Sequence, residues 1–360
     1  MKDAISPPLT QVGAPRQSGY LPMEIGAVTV FPTASGAGGV SAVDRVTETE
    51  LWRSEKLGPP LAVWRDCFVT WAPGKTIALV NAKTGFVELM PAIPFGLSLE
   101  AKDGLVTATR NEDGRSIVFC GDLVRGREAW RWSRGELQVV SDPVRSATMT
   151  HFGTTNEVVA LQTVDGSQAW RDDVTDLAHE ESLQARPGSP AGKAIVIDGT
   201  IIFYLARDWT VGYCVRTGRR KWTHRSVGST QASAAHDGRY HALMSQDYVV
   251  LNPETGAEVD RVNLDSELPR TKKMFLGPPI LVTDEHVWLG SQSGFIFAFT
   301  HEGKYVWNFR PKGAAWTRHG RFEVLGRRLY YSDGHRTYCF QERPGRRQTS
   351  RSTEQRSGSR

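Results

Sequence analysis

The chain has 360 residues, 39% of them hydrophobic and 23% charged, which supplies a real core and excludes a disordered chain. Its net charge of +5 is uneven: residues 342–360 carry six Arg against Glu342 and Glu354, a net of +4, so the remaining 341 residues carry only +1 and a basic nucleic-acid-binding body is not indicated. No run of 18 apolar residues suggests a transmembrane helix, the first residues show no secretory signal, and Cys67, Cys120, Cys214 and Cys339 are widely spaced, as expected of reduced thiols in a cytoplasmic protein.

In chain order, residues 1–25 form an N-terminal segment, residues 26–341 a repeating β domain, and residues 342–360 a disordered basic tail. Strands are expected at 26–31, 67–71, 104–109, 148–153, 199–205, 240–245, 286–290 and 328–332, from runs of β-branched and aromatic residues. Each precedes a second pattern: a short apolar strand, a polar residue, a turn ending in Gly, and an aromatic four residues on. The pattern runs Ala42-Val43-Asp44 to Trp52 (with Glu48 in place of Gly), then Leu79-Val80-Asn81, Gly85 and Leu89. Next come Cys120 to Trp130, Ala160 to Trp170, and Gly212 to Trp222. Val250-Leu251-Asn252 leads to Gly256 and Asp260, and Phe297-Ala298-Phe299 to Gly303 and Trp307. A worn last copy is Cys339-Phe340-Gln341 with Gly345.

The turn positions 48, 85, 126, 166, 218, 256, 303 and 345 recur about every 40 residues without helical periodicity between them, as propeller blades do. The glycines permit a positive φ in the hairpin between third and outer strands. The Trp four residues on can cover the neighbouring blade with a large ring. The expected fold is all-β, an eight-bladed β-propeller of four-stranded antiparallel blades, with seven blades as the rival. The chain after Gly345 is Arg-Arg-Gln-Thr-Ser and offers no apolar outer strand, so a segment near Leu9–Gly13 is expected to supply it and close the ring.

This pattern resembles the A-x-D-x-x-T-G-x-x-x-W repeat of quinoprotein (pyrroloquinoline quinone-type) propellers. It covers residues 42–345, with 42–52 and 212–222 among the clearest copies. The resemblance implies that Trp52, Trp130, Trp170, Trp222 and Trp307 dock blade to blade. The family's dehydrogenases are longer, and many carry adjacent cysteines and acidic and Asn calcium ligands. No such set stands out here, so no cofactor is expected, and the chain does not read as a quinone-dependent dehydrogenase. Short members of the family are scaffolds and sensor domains.

No catalytic motif is present, and Gly36–Gly39 reads as a hairpin loop because a phosphate-binding loop needs a following helix. The His spacing suggests no metal; His236 and His241 flank a Gly-containing turn. Propellers bind at the mouth of the central channel, where loops between second and third strands meet the connections between blades. Ligand-binding candidates there are Arg207, Trp209, Asp247 and Arg336. His335, Asp333 and Asp208 are the catalytic candidates if the chain is an enzyme, since His titrates near neutrality. Two long connections, 174–192 and 264–279, should collect on a binding face, the second carrying Met274, Phe275 and Leu276. The first expectation is a cytoplasmic binding or scaffold protein for a protein or peptide partner. The alternative is a metal-free acid–base enzyme (lyase, cyclase or hydrolase) with a small-molecule pocket at the channel mouth. No membrane partner is expected, and nucleic acid only at the basic tail.

Overall fold

A computed structural model describes residues 9–12, 20–33, 39–135, 137–139, 141–177, 194–205, 209–225, 230–268, 276–291, 293–314 and 320–342. They form eight four-stranded antiparallel sheets, seven of them meanders, arranged as an eight-bladed propeller. The seven-bladed rival is thereby excluded. The eight expected strands near 26–31 through 328–332 are the second strands of their blades, Val28–Pro32 through Arg328–Ser332. The innermost strands, such as Ala62–Trp64 and Leu97–Lys102, pack against their counterparts in adjoining blades and line the centre.

Blade 8 takes its outer strand from the other end of the chain. Leu9–Gln11 pairs antiparallel with Thr337–Glu342, Leu9 opposite Glu342 and Gln11 opposite Phe340. Propeller strands extend slightly past the expected limits: Met23–Ile25 is the innermost strand of blade 1, and the last strand runs to Glu342. Leu9 is buried in the core between blades 7 and 8. Leu9→Ala should therefore cost about 2–3 kcal/mol, read from the shift of the urea midpoint. The tail 343–360 lies outside the described residues.

The core is divided among the seams. Apolar clusters fill the contacts between blades 1 and 2, 2 and 3, and so on to 7 and 8. At the closing seam the Arg328 guanidinium reaches Glu48 at 2.8 Å, and the Phe31 and Tyr330 rings meet at 6.4 Å.

The repeat has a direct structural meaning. Its polar residue accepts the turn's backbone N–H groups: Asp44 from Val46 and Thr47, Asn81 from Lys83 and Thr84, Asn252 from Glu254 and Thr255. Such side chains mimic a backbone turn. The next residues dock the ring. The indole N–H of Trp52 donates to the Ala82 carbonyl of the following blade, Trp130 to Thr163, Trp170 to Val215 and Trp222 to Pro253, all within 2.7–2.9 Å. Each ring lies over the turn glycine of that blade, where a Cβ would come within 2.4–2.9 Å of the indole at Gly85, Gly166, Gly218 and Gly256. Those glycines are required twice, by their positive φ and by the ring above them. In six blades the hairpin between third and outer strands carries a register shift at the same repeat position, beside the residue paired with the Trp or its counterpart. A bulge there adds local twist and re-aims the side chain.

Candidate functional site

Of the residues expected at the channel mouth, Arg207 and Asp208 lie outside the described residues. The others sit on three different blades. Asp333 is fully buried in the blade 8 loop between second and third strands. Its Oδ1 accepts the backbone N–H of His335 at 2.9 Å and of Arg336 at 2.6 Å, and the Tyr338 hydroxyl donates to Oδ2 at 3.2 Å. These bonds build the turn, and they occupy both carboxylate oxygens. His335 itself is exposed. Arg336 donates to the Gly313 carbonyl of the connection from blade 7, at 2.9 Å.

Asp247 starts the third strand of blade 6 and accepts from Arg261 at 2.8 Å and Asn263 at 2.7 Å, both on the outer strand of its own blade. Trp209 starts the third strand of blade 5, half-buried against the core between blades 4 and 5, with the Arg225 guanidinium 5.7 Å from the ring centre. The indole is thus partly covered. Among the described residues, the structure gathers Asp333, His335 and Arg336 in one loop and leaves Asp247 and Trp209 in contacts with outer strands of their own blades.

The two long connections are only partly described. Residues 178–193 lie outside the described residues, as do Met274 and Phe275, while Leu276 is fully buried in the innermost strand of blade 7. Asn263 caps a short helix, Leu264–Glu267, by accepting the Ser266 N–H at 3.2 Å.

Among the described residues, no three His, Cys, Asp or Glu side chains are grouped to hold a metal. The four cysteines are free thiols on four different blades, and burial pushes Cys120 up to about 12 and Cys67 up to about 11. The described histidines include a group on the face opposite the channel-mouth loops. His236 stacks on His301 at 5.9 Å and meets His241 at 6.0 Å, and Asp284 lies 3.3 Å from its Nε2. His301 Nε2 lies 2.9 Å from the Thr283 carbonyl oxygen, and the ring nitrogens of His241 lie 2.7 Å from the Tyr248 hydroxyl and 3.1 Å from the His236 carbonyl oxygen.

Sequence reasoning placed the binding face at the channel mouth. The exposed large apolar side chains stand mainly elsewhere. Val46, Phe86, Val124 and Val164 are 85%, 70%, 69% and 80% exposed, and each sits on the hairpin between third and outer strands, on blades 1, 2, 3 and 4 in turn. Leu51, Val87 and Leu89, on the outer strands of blades 1 and 2, add to them. The signal was present in the repeat itself, where Leu89 stands in a Trp position.

These features define a propeller of the quinoprotein type, with a Trp docked on the next blade's turn at four seams. The chain belongs to the family described as outer membrane protein assembly factor BamB, whose model matches residues 36–250. No curated protein matches it in sequence. Among solved structures, BamB from Moraxella catarrhalis is similar at 17% identity and a TM-score of 0.65, covering 92% of this chain and 99% of that one. The computationally designed Ika8 protein is similar at 12% identity and a TM-score of 0.62, covering 94% and 99%. A europium-containing methanol dehydrogenase is similar at 10% identity and a TM-score of 0.64, covering 90% and 83%. At these identities the structural likenesses speak to the fold. Among the described residues no helix is long and apolar enough to cross a membrane.

Proposed function

We propose that this chain is a protein-binding scaffold that holds a protein or peptide partner on the rim of its first four blades. The observation that carries this reading is the succession of exposed apolar side chains, Val46, Phe86, Val124 and Val164, on four consecutive hairpins. Isolated exposed apolar residues are ordinary, but a run of them along one edge marks an interaction surface. Family membership supports the same reading, since the matched family is named for assembly of other proteins. Its members' location does not follow from that name for this chain. The four free thiols support a reducing, cytoplasmic setting, which fractionation of cells carrying the tagged chain would test.

The experiment is purification of the full chain from native extract, with quantitative mass spectrometry of what accompanies it. A protein in near-equal molar amount is the expected result. A bound small molecule without any protein partner would overturn the scaffold reading in favour of a pocket at the channel mouth.

A further inference from the structure

In each blade the turn between innermost and second strands and the turn between third and outer strands share the face opposite the channel mouth. At blades 2 and 3 these turns are tied in pairs. The Ala82 N–H donates to the Asp66 carbonyl at 3.0 Å and the Asn81 amide to the Asp66 carboxylate at 2.8 Å. In blade 3 the Leu123 N–H donates to the Gly104 carbonyl at 2.8 Å. Between the two pairs lies a depression of about 420 Å³, lined by Trp64 and Arg65 of blade 2 and by Asp103, Gly104 and Val124 of blade 3. Gly104 keeps it open: a Cβ there would come within 3.1 Å of Val124 Cγ2 and 3.5 Å of Trp64 Nε1. Val124 is 69% exposed.

Two features set this place apart. The first is Arg65, which begins its turn at a φ of +55°. The matching residues of blades 1 and 8 are Gly26 and Gly326, at +58° and +57°, and those of blades 3, 5 and 6 are Asp, which tolerates that region better. Strain kept in a native fold clusters at functional sites. The Arg65 guanidinium lies 4.5 Å from the centre of the Trp64 ring, so stacking holds it in place and leaves its N–H fork open to a carboxylate. The second feature is a surplus of donors. Among the described residues, neither Arg65 nor Lys83 has a carboxylate within ion-pair distance, and the Trp64 indole N–H has no hydrogen-bond partner. The carboxylates, by contrast, are engaged: Asp66 by Asn81, Asp122 by Arg125 at 3.1 Å, and Asp103 by Arg145 at 3.8 Å. The turns hold five cations (Arg65, Lys83, Lys102, Arg125 and Arg127) against those three carboxylates. Glu88, on the outer strand behind them, leaves the balance positive.

We propose that this depression anchors the partner, and that its occupant is an acidic segment of another protein. A large apolar side chain of that segment sits between Trp64 and Val124, an Asp or Glu beside it takes the Arg65 fork, and a further carboxylate reaches Lys83. This rests on the scaffold reading above and names the partner's chemistry within it. The apolar walls and the unpaired cations each demand their own complement, so neither a purely apolar nor a purely charged segment satisfies the site. An Arg–carboxylate pair made through two parallel N–H donors adds geometric specificity, and clustered cations are a recurring means of recognising acidic motifs. The exposed Val46, Phe86 and Val164 on the flanking hairpins extend the contact along the rim. The chain's own tail, with six Arg in residues 342–360, carries the wrong charge to be the occupant. So small an excess of cations is also slight beside the charge density of a nucleic-acid backbone.

The test uses the full chain and a displayed library of random 12-residue peptides. Selected peptides are expected to carry a large apolar residue flanked by Asp or Glu. Their binding should weaken as salt rises from about 0.1 to 1 M, where the Debye length falls from about 10 to 3 Å. Arg65→Glu and Val124→Asp should each weaken them at least about tenfold and, both side chains being exposed, should melt with the parent chain. Arg216→Glu, the same charge change on the blade 5 hairpin, should leave binding unchanged. A peptide whose acidic residue is replaced by Lys should regain binding on Arg65→Glu. Selected sequences without acidic residues, peptides that bind Arg65→Glu and Val124→Asp as tightly as the parent, or an equal loss with Arg216→Glu would overturn the proposal. Concentration-dependent dimers abolished by Val124→Asp would overturn it by naming a second copy. Sedimentation with phosphatidylserine vesicles, lost in the same variants, would do so by naming an anionic bilayer. If a native protein partner binds the parent chain and both variants equally, the scaffold reading stands and this site falls. Absence of any native partner would remove the scaffold reading itself.

Discussion

Trp222→Ala is expected to lower the unfolding free energy by about 3–5 kcal/mol, the usual cost of deleting a large buried ring, and to shift the urea midpoint without changing the slope. Trp222 is 8% exposed, lies over Gly256, and donates its N–H to the Pro253 carbonyl at 2.8 Å. Its loss removes apolar contact between blades 5 and 6 and leaves that carbonyl without its donor. The seam also predicts a coupling. Gly256→Val places a Cβ 2.5 Å from the indole at a backbone φ of +70°, so it suffers both a clash and left-handed strain. In the double variant the ring is gone and only the strain, about 1–2 kcal/mol, remains. The two losses should therefore fall short of additivity by more than about 1 kcal/mol. Strict additivity would mean that the ring and the turn do not act as one unit.

The same seam explains which parts of the molecule were legible. The turn glycine and the Trp are fixed by local requirements, a positive φ and a large ring over a flat turn, and both recur at constant spacing. That made the eight blades readable, and it made the closing strand predictable from the missing apolar segment after Gly345. Leu89 and Asp260 were visible as departures, but their consequences differ in ways spacing does not carry. At Asp260 the next outward residue but one, Val262, covers Gly303, so the seam stays filled. At Leu89 the hairpin keeps a straight register, which turns Leu89 away from blade 3, and only the three-dimensional neighbourhood shows that Met90 and Ile93 fill that seam instead. The candidate residues at the channel mouth illustrate the opposite limit. Asp333 has the composition of a catalytic carboxylate, yet its oxygens serve the turn and Tyr338. Polar residues in hairpin loops are needed for turn geometry first, and sequence alone does not separate that use from chemistry.

Acidification from pH 7.5 to 5 should destabilise the chain by about 4 kcal/mol through two buried histidines alone. His151, on the second strand of blade 4, is fully buried, lies 5.5 Å from the Trp170 ring, and shares a 2.9 Å hydrogen bond with Ser146. Burial depresses its pKa to about 4. His241, on the second strand of blade 6, is likewise depressed to about 4, by burial first and then by the neighbouring cations. The Tyr248 hydroxyl and the His236 carbonyl face its ring nitrogens, with His236, His301 and Arg239 as the charged or titratable groups around it. In the folded chain both rings stay neutral at pH 5, whereas in the unfolded chain they take up protons below about 6.5. The unfolded state thus binds more protons between those values, so stability falls as pH falls from about 6.5 towards 4. At pH 5 each ring accounts for about 2 kcal/mol. His224 and His286, also lowered by burial, act with the same sign. The carboxylates whose pKa is lowered, such as Asp165 and Glu258, start from 3.8 and 4.5, so their window lies further into acid. Urea unfolding of the parent chain and of the double variant H151Q/H241Q at both pH values separates the contributions. The parent should lose several kcal/mol and the variant much less, whatever its stability at pH 7.5. Equal losses would show that acid acts on this propeller through groups other than the two buried rings.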